Sequence, residues 1–440
     1  MKKSQLTIAV GGLAAAALAL SGCSGAAAGG ALGSGDRLVV ITSQAPWNPA
    51  YDAVVAAYEE ATGVDVELRP FPNPEVKTQI LNDAQNGSHA FDVYQVNEVD
   101  LAQLNDAGIL MPFTDADPDF ELDPEIFTYD DVTNWDADAR AFGPGGEVTS
   151  VPLMGNLQIM MYRTDVFDDL GLEPATTWDG VVENAQAVVD SGEARYGYVQ
   201  RYQGVPGAPG VTYDFAGILY GLGGSFFVEP GVDWTPAFDS PEAIRAAEVF
   251  HELAQLGPAD PKAVGQAEAI AAMQGGDAAQ LDVVAAAASS MNDEASSNVA
   301  GVVGFAPLPG GVSATGLWNL GLPADLPEDR RELALGFIEW VTSEEGMEVF
   351  AENGGIPTRA DAYDAPGLSP EASTYLDVVA ESAPTAVGPF RFTFGSDFLT
   401  ATETVLPEIA AGDLGAEEGM KRLQEELTQV VADAGYPMGG

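Results

Sequence analysis

Alternating strand-like and helix-like segments between residues 37 and 96 most constrain what this chain can fold into. The run RLVVIT at residues 37–42 is continuously apolar, as expected for a strand buried on both faces. Two more strand-like segments follow at residues 64–68 and 91–96, and each intervening segment carries apolar residues at helical spacing. This order predicts a parallel sheet with helices on its faces, so we assign the fold class as α/β.

A second region of the same kind begins near residue 151. An extended apolar segment at residues 151–163 is followed by a segment whose apolar residues fall on one helical face at 181–189. The chain of 440 residues is longer than a single hydrophobic core usually supports. We therefore predict two lobes.

The N-terminal segment has the order of an export signal. Two lysines precede an uncharged, mostly apolar run at residues 7–20, which is shorter than the roughly 20 apolar residues needed to cross a bilayer. The run ends in Leu-Ser-Gly-Cys, which resembles the lipobox of bacterial lipoproteins, and Cys23 is the single cysteine of the chain. We predict a lipoprotein signal peptide at 1–22, lipidation of Cys23 and a flexible tether at 23–35. The alternative is an ordinary secretory signal.

The chain is strongly acidic, with 67 acidic and 17 basic residues and a formal net charge of −50. A surface of this sign repels phosphate backbones and anionic lipids. We therefore expect no nucleic-acid partner, and contact with the membrane only through the lipid anchor. The acidity fits either a saline habitat or the solubility of an exposed protein.

Polar and aromatic residues follow the first and third predicted strands. Parallel sheets bind ligands at the carboxyl ends of their strands. Amides, carboxylates and an indole suit a neutral polyhydroxylated ligand, although Asn and Asp are also common in turns and caps for local reasons. The candidate ligand-binding residues at these strand ends are Gln44, Trp47, Asn48, Gln95, Asn97 and Glu98.

Six segments resemble, in order, those of family 1 extracellular solute-binding proteins. They read ATGVDVEL, FDVYQVNEVDLAQLNDAGILMPF, NLQIMMYRTDVFDDLGLEPATTWDGV, FDSPEAIRAAEVFHELAQLG, GLWNLGLPA and FIEWVTSEEGMEVFAENGGIPTR. These proteins are carbohydrate receptors of bacterial ABC importers, similar in plan to the maltose-binding protein. The resemblance implies a two-lobed periplasmic-binding-protein type II fold with the ligand cleft between the lobes. It also implies that lobe 1 comprises 36–152 plus 314–357, and lobe 2 comprises 153–313 plus 358–440.

The same resemblance extends the set of candidate site residues. Trp318 lies where the family often places an aromatic residue at the ligand, and Arg359 matches a frequent cleft arginine that could equally be a hinge residue. The position of Asp282 often belongs to an aromatic-acidic cluster, although the aromatic residue is missing here. Trp234 could also belong to the core. Carried over in this way are Asn156, Gln158, Tyr213, Asp214, Trp234, Asp282, Trp318, Asn319 and Arg359.

Motifs of enzymes and cofactor sites are missing from the sequence. The serine-hydrolase elbow, the phosphate-binding loop and a convincing dinucleotide fingerprint do not occur, and His89 and His251 lack a third metal ligand at a recognisable spacing. We therefore predict no cofactor, no metal and no catalytic residue. Two alternatives remain: a secreted lipoprotein enzyme acting on polysaccharide, or the same fold binding a peptide or an anion.

The sequence thus predicts a receptor rather than an enzyme. We expect a monomer, anchored through Cys23 at the extracellular face of the cytoplasmic membrane. It would bind a sugar, an oligosaccharide or a polyol between two closing lobes and deliver it to the permease subunits of an ABC importer.

Overall fold

The computed structural model describes residues 37–45, 47–129, 131–205 and 209–439. The predicted signal peptide, the tether and Cys23 lie outside these residues. The strands are β1 (Arg37–Ser43), β2 (Asp65–Phe71), β3 (Val93–Asn97), β4 (Leu110–Met111), β5 (Asn134–Asp136), β6 (Ala141–Phe142), β7 (Glu147–Val148), β8 (Ser150–Met154), β9 (Gln158–Arg163), β10 (Phe227–Glu229), β11 (Asp233–Pro236), β12 (Gln280–Val284), β13 (Val303–Ala306) and β14 (Trp318–Pro323).

Fourteen α-helices accompany these strands in the described residues. They are α1 (Asn48–Thr62), α2 (Asn73–Asn86), α3 (Glu98–Asp106), α4 (Thr164–Leu170), α5 (Trp178–Ser191), α6 (Gly210–Gly221), α7 (Pro241–Gln255), α8 (Gln266–Gln274), α9 (Ala288–Met291), α10 (Glu328–Val341), α11 (Glu344–Glu352), α12 (Pro370–Ser382), α13 (Gly395–Ala411) and α14 (Ala416–Ala434). Within the described residues, no helix is both long enough and apolar enough to span a bilayer.

The first sheet has the strand order β2-β1-β3-β14-β4, and β8 also pairs with β14. Strand β1 is parallel to both β2 and β3, which confirms the parallel arrangement predicted from residues 37–96. Strand β14 is distant in sequence and joins the sheet antiparallel to β3. The sheet therefore combines an N-terminal unit with a segment from the last third of the chain.

The second sheet has the order β12-β9-β13, and β9 is antiparallel to both neighbours. The prediction of a second parallel region near residue 151 was therefore wrong for these strands. The apolar pattern of residues 151–163 indicates a buried strand. It carries no information on whether strands far along the chain pair with it in parallel or antiparallel. Isolated parallel bridges from Tyr196 to Ala278 and from Val199 to Leu281 extend this sheet.

Two segments connect the two sheets. Strands β8 and β14 lie in the first sheet, whereas β9 and β13 lie in the second, so residues 155–157 and 307–317 pass between them. The two segments contact each other through an antiparallel bridge between Leu157 and Thr315, and the Gly316 amide donates to the Asn156 carbonyl at 2.6 Å. The lobe boundaries stay a prediction.

The parallel strands of the first sheet determine where its polar ends lie. Strands β1 and β3 run in the same direction and end at Ser43 and Asn97, so the residues that follow them lie at one edge of the sheet. Asn97 begins the next helix by accepting a hydrogen bond from the Val99 amide at 3.1 Å. Local capping thus holds this strand end in place.

Candidate functional site

A cavity of about 860 Å³ lies at the edge of the first sheet and faces segments that belong to or flank the second sheet. Its lining residues include Ser43, Gln44, Ala45, Trp47, Asn73, Asn97 and Trp318 on the first side, and Asn156 and Gly316 at the connections. On the second side they include Arg201, Gln203, Val205, Pro209, Gly210, Tyr213, Gly265, Gln266, Ile270, Gln274, Val284, Ala286, Ala287, Ser289, Ser290, Asp293 and Ser296.

Two tryptophans form the aromatic part of the first side. The ring centroids of Trp47 and Trp318 lie 5.8 Å apart, with an angle of 52° between the ring planes. Both side chains are largely buried and reach the cavity with part of their surface. The Nε1 atom of Trp47 has no hydrogen-bond partner among the described residues. The pair therefore offers flat apolar surface to a bound molecule.

Asn156 is held by the connecting segments. Its Oδ1 atom accepts from the Ala286 amide at 3.2 Å, and its backbone carbonyl accepts from Gly316. These bonds fix the side chain at a point where the first side, the second side and a connection meet. A fixed amide provides directional hydrogen bonding without the entropy cost of ordering a mobile side chain.

A buried ion pair supports the second side. The backbone amide and the guanidinium of Arg201 both donate to Asp214, at 2.6 Å from the amide nitrogen and 2.9 Å from Nε. Gln158 Nε2 also donates to this carboxylate at 2.5 Å. Burial raises the pKa of Asp214, and the neighbouring Arg201 opposes that change. The charge that Arg201 brings to the cavity wall is therefore matched by Asp214.

Asp282 lies beside this pair within the protein interior. It is fully buried, and neither carboxyl oxygen has a hydrogen-bond partner among the described residues. Burial, together with the charge of Asp214, raises the pKa of Asp282 well above its usual range. Its charged form is therefore disfavoured, and Asp282 lies outside the lining of the cavity.

Tyr213 covers a buried carboxyl group. Its hydroxyl donates to Glu98 Oε1 at 3.0 Å, and the Thr315 hydroxyl donates to Glu98 Oε2 at 2.7 Å. The Arg201 guanidinium lies 6.0 Å from the centroid of the Tyr213 ring, and Phe390 packs edge-on against that ring. Burial raises the pKa of Glu98 to about 7. Glu98 is thus behind the cavity wall rather than part of it.

The model of the bacterial extracellular solute-binding protein family matches residues 42–348 of this chain. The chain belongs to this family. The match includes the strand ends, both connections and the segments that line the second side of the cavity.

Two curated relatives and one solved structure are similar to this solute-binding protein. The probable amino-acid ABC transporter periplasmic-binding protein of Sinorhizobium fredii is 24% identical, with 79% of this chain and 78% of that protein covered. The erythritol/L-threitol-binding protein of Mycolicibacterium smegmatis is 23% identical, with 86% and 83% covered. A maltose-bound T. maritima protein has a TM-score of 0.75 at 22% identity, with 90% of this chain and 99% of that chain covered. The structural likeness shows the two-lobed α/β fold.

The structure brings part of the predicted site together. The predicted residues that line the cavity are Gln44, Trp47, Asn97, Asn156, Tyr213 and Trp318. Three more support the wall from behind it: Glu98 beneath Tyr213, and Gln158 and Asp214 beside Arg201. Asp282 is buried near Asp214, outside the lining of the cavity. The ligand-binding roles of all these residues stay predictions.

Two predicted residues have structural roles elsewhere in this solute-binding protein. Trp234 packs in an aromatic cluster, with ring centroids 5.3 Å from Phe227 and 5.1 Å from Tyr436. Arg359 donates to the carboxylates of Asp361 at 2.7 Å and Asp123 at 2.8 Å, and to the Thr342 backbone carbonyl at 3.2 Å. Neither residue lines the cavity, and their predicted ligand-binding roles stay predictions.

Three further predicted residues also lie outside the lining. Asn48 begins α1 directly after Trp47, and the side chain of Gln95 accepts from the Ser43 amide at 3.3 Å inside the first sheet. Asn319 follows Trp318 in a strand, where successive side chains point to opposite faces. Since Trp318 faces the cavity, Asn319 is directed away from it.

Sequence reasoning missed much of the polar second side. Arg201 and Gln203 follow Tyr198 in a short segment that pairs with β12, and Gln266 begins α8. Other missed polar residues come from α2, α8 and the region after β12: Asn73, Gln274, Ser289, Ser290, Asp293 and Ser296. The polar run Gln200-Arg201-Tyr202-Gln203 was the available signal. The other residues have no motif that marks them in sequence.

The described residues contain no group of three or more His, Cys, Asp or Glu side chains arranged to hold a metal ion. His251 Nδ1 contacts the backbone carbonyl of Ile409 at 3.0 Å, which ties α7 to α13. His251 therefore has a structural role, because its side chain joins two helices.

Proposed function

We propose that this solute-binding protein binds a neutral sugar or polyol in the cavity and delivers it to an ABC import permease. The observation that carries the proposal is the pairing of an indole wall with a wall of amides and hydroxyls. Indole faces pack on the C–H surface of sugars, and amides satisfy hydroxyl groups as both donors and acceptors. The cavity of about 860 Å³ falls within the range of small-molecule sites.

The charges around the cavity favour a neutral ligand. Arg201 is paired with Asp214. The Asp293 carboxylate accepts from the Ala295 amide at 2.9 Å and from the Ser296 hydroxyl at 2.8 Å. A charged ligand would have to compete with these partners, and separating a buried ion pair is costly.

The relatives support this ligand class and suggest one competitor. The Mycolicibacterium smegmatis protein is named for two polyols, and the T. maritima structure holds maltose. The Sinorhizobium fredii protein is named as a probable amino-acid binder. An amino acid would need a cation for its carboxylate, and among the described residues of the lining Arg201 is the cationic one. Amino acids are therefore the second candidate.

We infer a transport mechanism in which the ligand draws the two sides of the cavity together. A molecule that contacts Trp47 and Trp318 on one side and Arg201 and Gln266 on the other stabilises the arrangement in which these groups are close. The resulting joint surface would allow the permease to recognise the loaded receptor. No covalent bond forms or breaks in this process.

Ligand screening tests the proposal. The purified protein is heated with erythritol, mannitol, maltose, glucose, individual amino acids or phosphate, and each shift in melting temperature is followed by calorimetric titration. A ligand at 100 times its Kd adds about 2.7 kcal/mol to the native state. We expect a shift with sugars or polyols. A shift confined to amino acids would replace the proposed ligand class with the second candidate.

A single substitution tests lipid anchoring. We expect the wild-type protein to fractionate with the membrane and to incorporate labelled fatty acid. The Cys23→Ser variant lacks the thiol that would be acylated, so it should lose the label and leave the membrane fraction. An unlabelled wild-type protein recovered in the medium would show an ordinary secretory signal instead.

A further inference from the structure

One face of α8 runs along the second side of the cavity. Gln266, Ile270 and Gln274 all line the cavity, and they are spaced four residues apart on this helix. Residues at this spacing lie on the same helical face. The distance along the helix from Gln266 to Gln274 is about 12 Å, because each residue adds about 1.5 Å. The cavity wall is therefore elongated along α8.

Different segments hold the two glutamines at the ends of this face. Gln266 Oε1 accepts from the Arg201 guanidinium at 3.3 Å, and Gln274 Nε2 donates to the Ser290 carbonyl at 3.0 Å. These bonds leave the Nε2 group of Gln266 and the Oε1 atom of Gln274 for a bound molecule. The face thus presents a hydrogen-bond donor at one end and an acceptor at the other.

The wall between the two glutamines is apolar. Ile270 lies between them on α8, and Val284 and Ala286 line the cavity from the end of the neighbouring strand β12 and the segment after it. Sugar rings pack their C–H surfaces on apolar groups and form hydrogen bonds through their hydroxyls. A polar, apolar and again polar wall therefore suits a chain of sugar rings.

A four-carbon polyol is shorter than this wall. Its terminal oxygens are joined by five bonds of about 1.5 Å, so they lie at most roughly 7 Å apart. Each pyranose ring with its linking oxygen adds roughly 5 Å at the same bond lengths. A chain of about two to three rings is therefore needed to reach from Gln266 to Gln274.

Both ends of the wall reach the protein surface. Gln203 and Gln266 are exposed at one end, and Asp293 and Ser296 are exposed at the other. The Ser296 hydroxyl contacts the same Ser290 carbonyl as Gln274, at 3.5 Å, which locates these residues at the Gln274 end. A chain longer than the wall can thus extend beyond it.

We propose that the ligand is a linear oligosaccharide of at least about two to three rings lying along α8, and that Gln274 is the specificity-determining residue that distinguishes it from monosaccharides and short polyols. The inference rests on the proposed function, because it assumes that the cavity binds a sugar.

A single ring binds at the Gln266 end of the wall. The neighbouring Arg201 and Tyr213 are buried and fixed in position, whereas Asp293 and Ser296 at the other end are exposed. Side chains that are already ordered lose less entropy on binding. Contact with Gln274 therefore requires a longer ligand.

The first measurement is a length series on the wild type. Calorimetric titration uses erythritol, glucose, and α-linked and β-linked glucose oligosaccharides of two to five units. We expect affinity to rise by at least about fivefold from one ring to three, because one added neutral hydrogen bond contributes about this factor. Affinity should then stay constant up to five rings, because the additional rings lie beyond the wall.

Substitutions test the role of Gln274. Gln274→Ala should lower the ratio of trisaccharide to glucose affinity by about fivefold, because the lost bond lies at the end that glucose does not reach. Gln266→Ala should lower both affinities and leave their ratio nearly unchanged. Alanine is a strong helix former, so both variants keep α8, which their melting temperatures verify.

The matched control is Gln255→Ala. Gln255 on α7 also donates to a backbone carbonyl, that of Ala410 at 3.1 Å, but it lies outside the lining of the cavity. Both affinities should equal those of the wild type. A wild-type ratio in Gln274→Ala would show that Gln274 does not determine specificity.

The outcomes separate the inference from the proposed function. If sugars or polyols bind with affinity that does not depend on length, or is highest for erythritol or glucose, the inference fails and the proposed function stands. If no sugar or polyol of the series binds, the proposed function fails and the inference fails with it.

Discussion

The two sides of the cavity use different chemistry. The first side presents Trp47 and Trp318, held at the ends of strands in a single sheet. The second side presents Arg201, Gln203 and Gln266, which come from separate segments around another sheet. The first side is suited to shape and stacking, and the second side to hydrogen bonding.

Each side also contains a buried arginine–aspartate pair, and the two pairs differ in their relation to the cavity. Arg330 donates to Asp92 at 2.8 Å beneath the first sheet, and Asp92 also accepts from the Val39 amide at 2.8 Å. Arg201 donates to Asp214 while it lines the cavity. Similar pairs can thus support the fold alone, or the fold and the site together.

Breaking these two pairs should produce the largest effects. Arg330→Ala and Arg201→Ala each leave a fully buried carboxylate without its cation, so each should lower the free energy of unfolding by about 3 to 5 kcal/mol. Only Arg201→Ala should also weaken ligand binding, by more than about tenfold (about 1.4 kcal/mol). Urea unfolding and calorimetric titration measure the two effects. Equal loss of affinity in both variants would contradict the distinction between the pairs.

Substituting a tryptophan of the cavity and one of the core should distinguish ligand stacking from core packing. Trp318→Ala removes part of the aromatic wall and should reduce affinity by about tenfold or more, because bound sugar loses its apolar contact. The control is Trp234→Ala, which should cost about 3 to 5 kcal/mol of stability. Since Trp234 lies in the aromatic cluster, the affinity of its folded fraction should be unchanged. Normal affinity in Trp318→Ala would remove the stacking role.

The smallest expected effect concerns helix caps. Asn97→Ala removes the side chain that caps α3 and also lines the cavity. Ser240→Ala removes only a helix cap, because the Ser240 hydroxyl accepts from the Ala243 amide at 3.2 Å at the start of α7. Each variant should lose about 1 kcal/mol of stability. Asn97→Ala should in addition lose severalfold in affinity. If binding is equally strong in both variants, Asn97 acts as a cap alone.

The sequence was more informative about the first side than about the second. Trp47 and Asn97 follow predicted strands, and the parallel direction of those strands brought both residues to one edge, as the periodicity predicts. Trp318 came from resemblance to the family. Gln266 and Ser290 carry no comparable signal, because their positions depend on how α8 packs against β12 and how α9 packs against α12.

Pairs of residues of the same type show the same limit. Trp234 and Trp318 are both tryptophans near strand-like segments, yet one packs against Phe227 and the other lines the cavity. Arg359 and Arg201 are both buried arginines, and only the second reaches the cavity. Residue type and spacing alone do not distinguish these pairs.

The sequence by itself determined the α/β class, the parallel pairing of the first strands, the choice of Trp47 and Trp318 as candidate site residues, and the family. These follow from local periodicity and from segments whose order is preserved along the chain. Only the tertiary structure decided the antiparallel second sheet, the pairing of Arg201 with Asp214 and the burial of Glu98 beneath Tyr213. Each of these depends on contacts between residues far apart in sequence, and local patterns do not encode which distant segments meet.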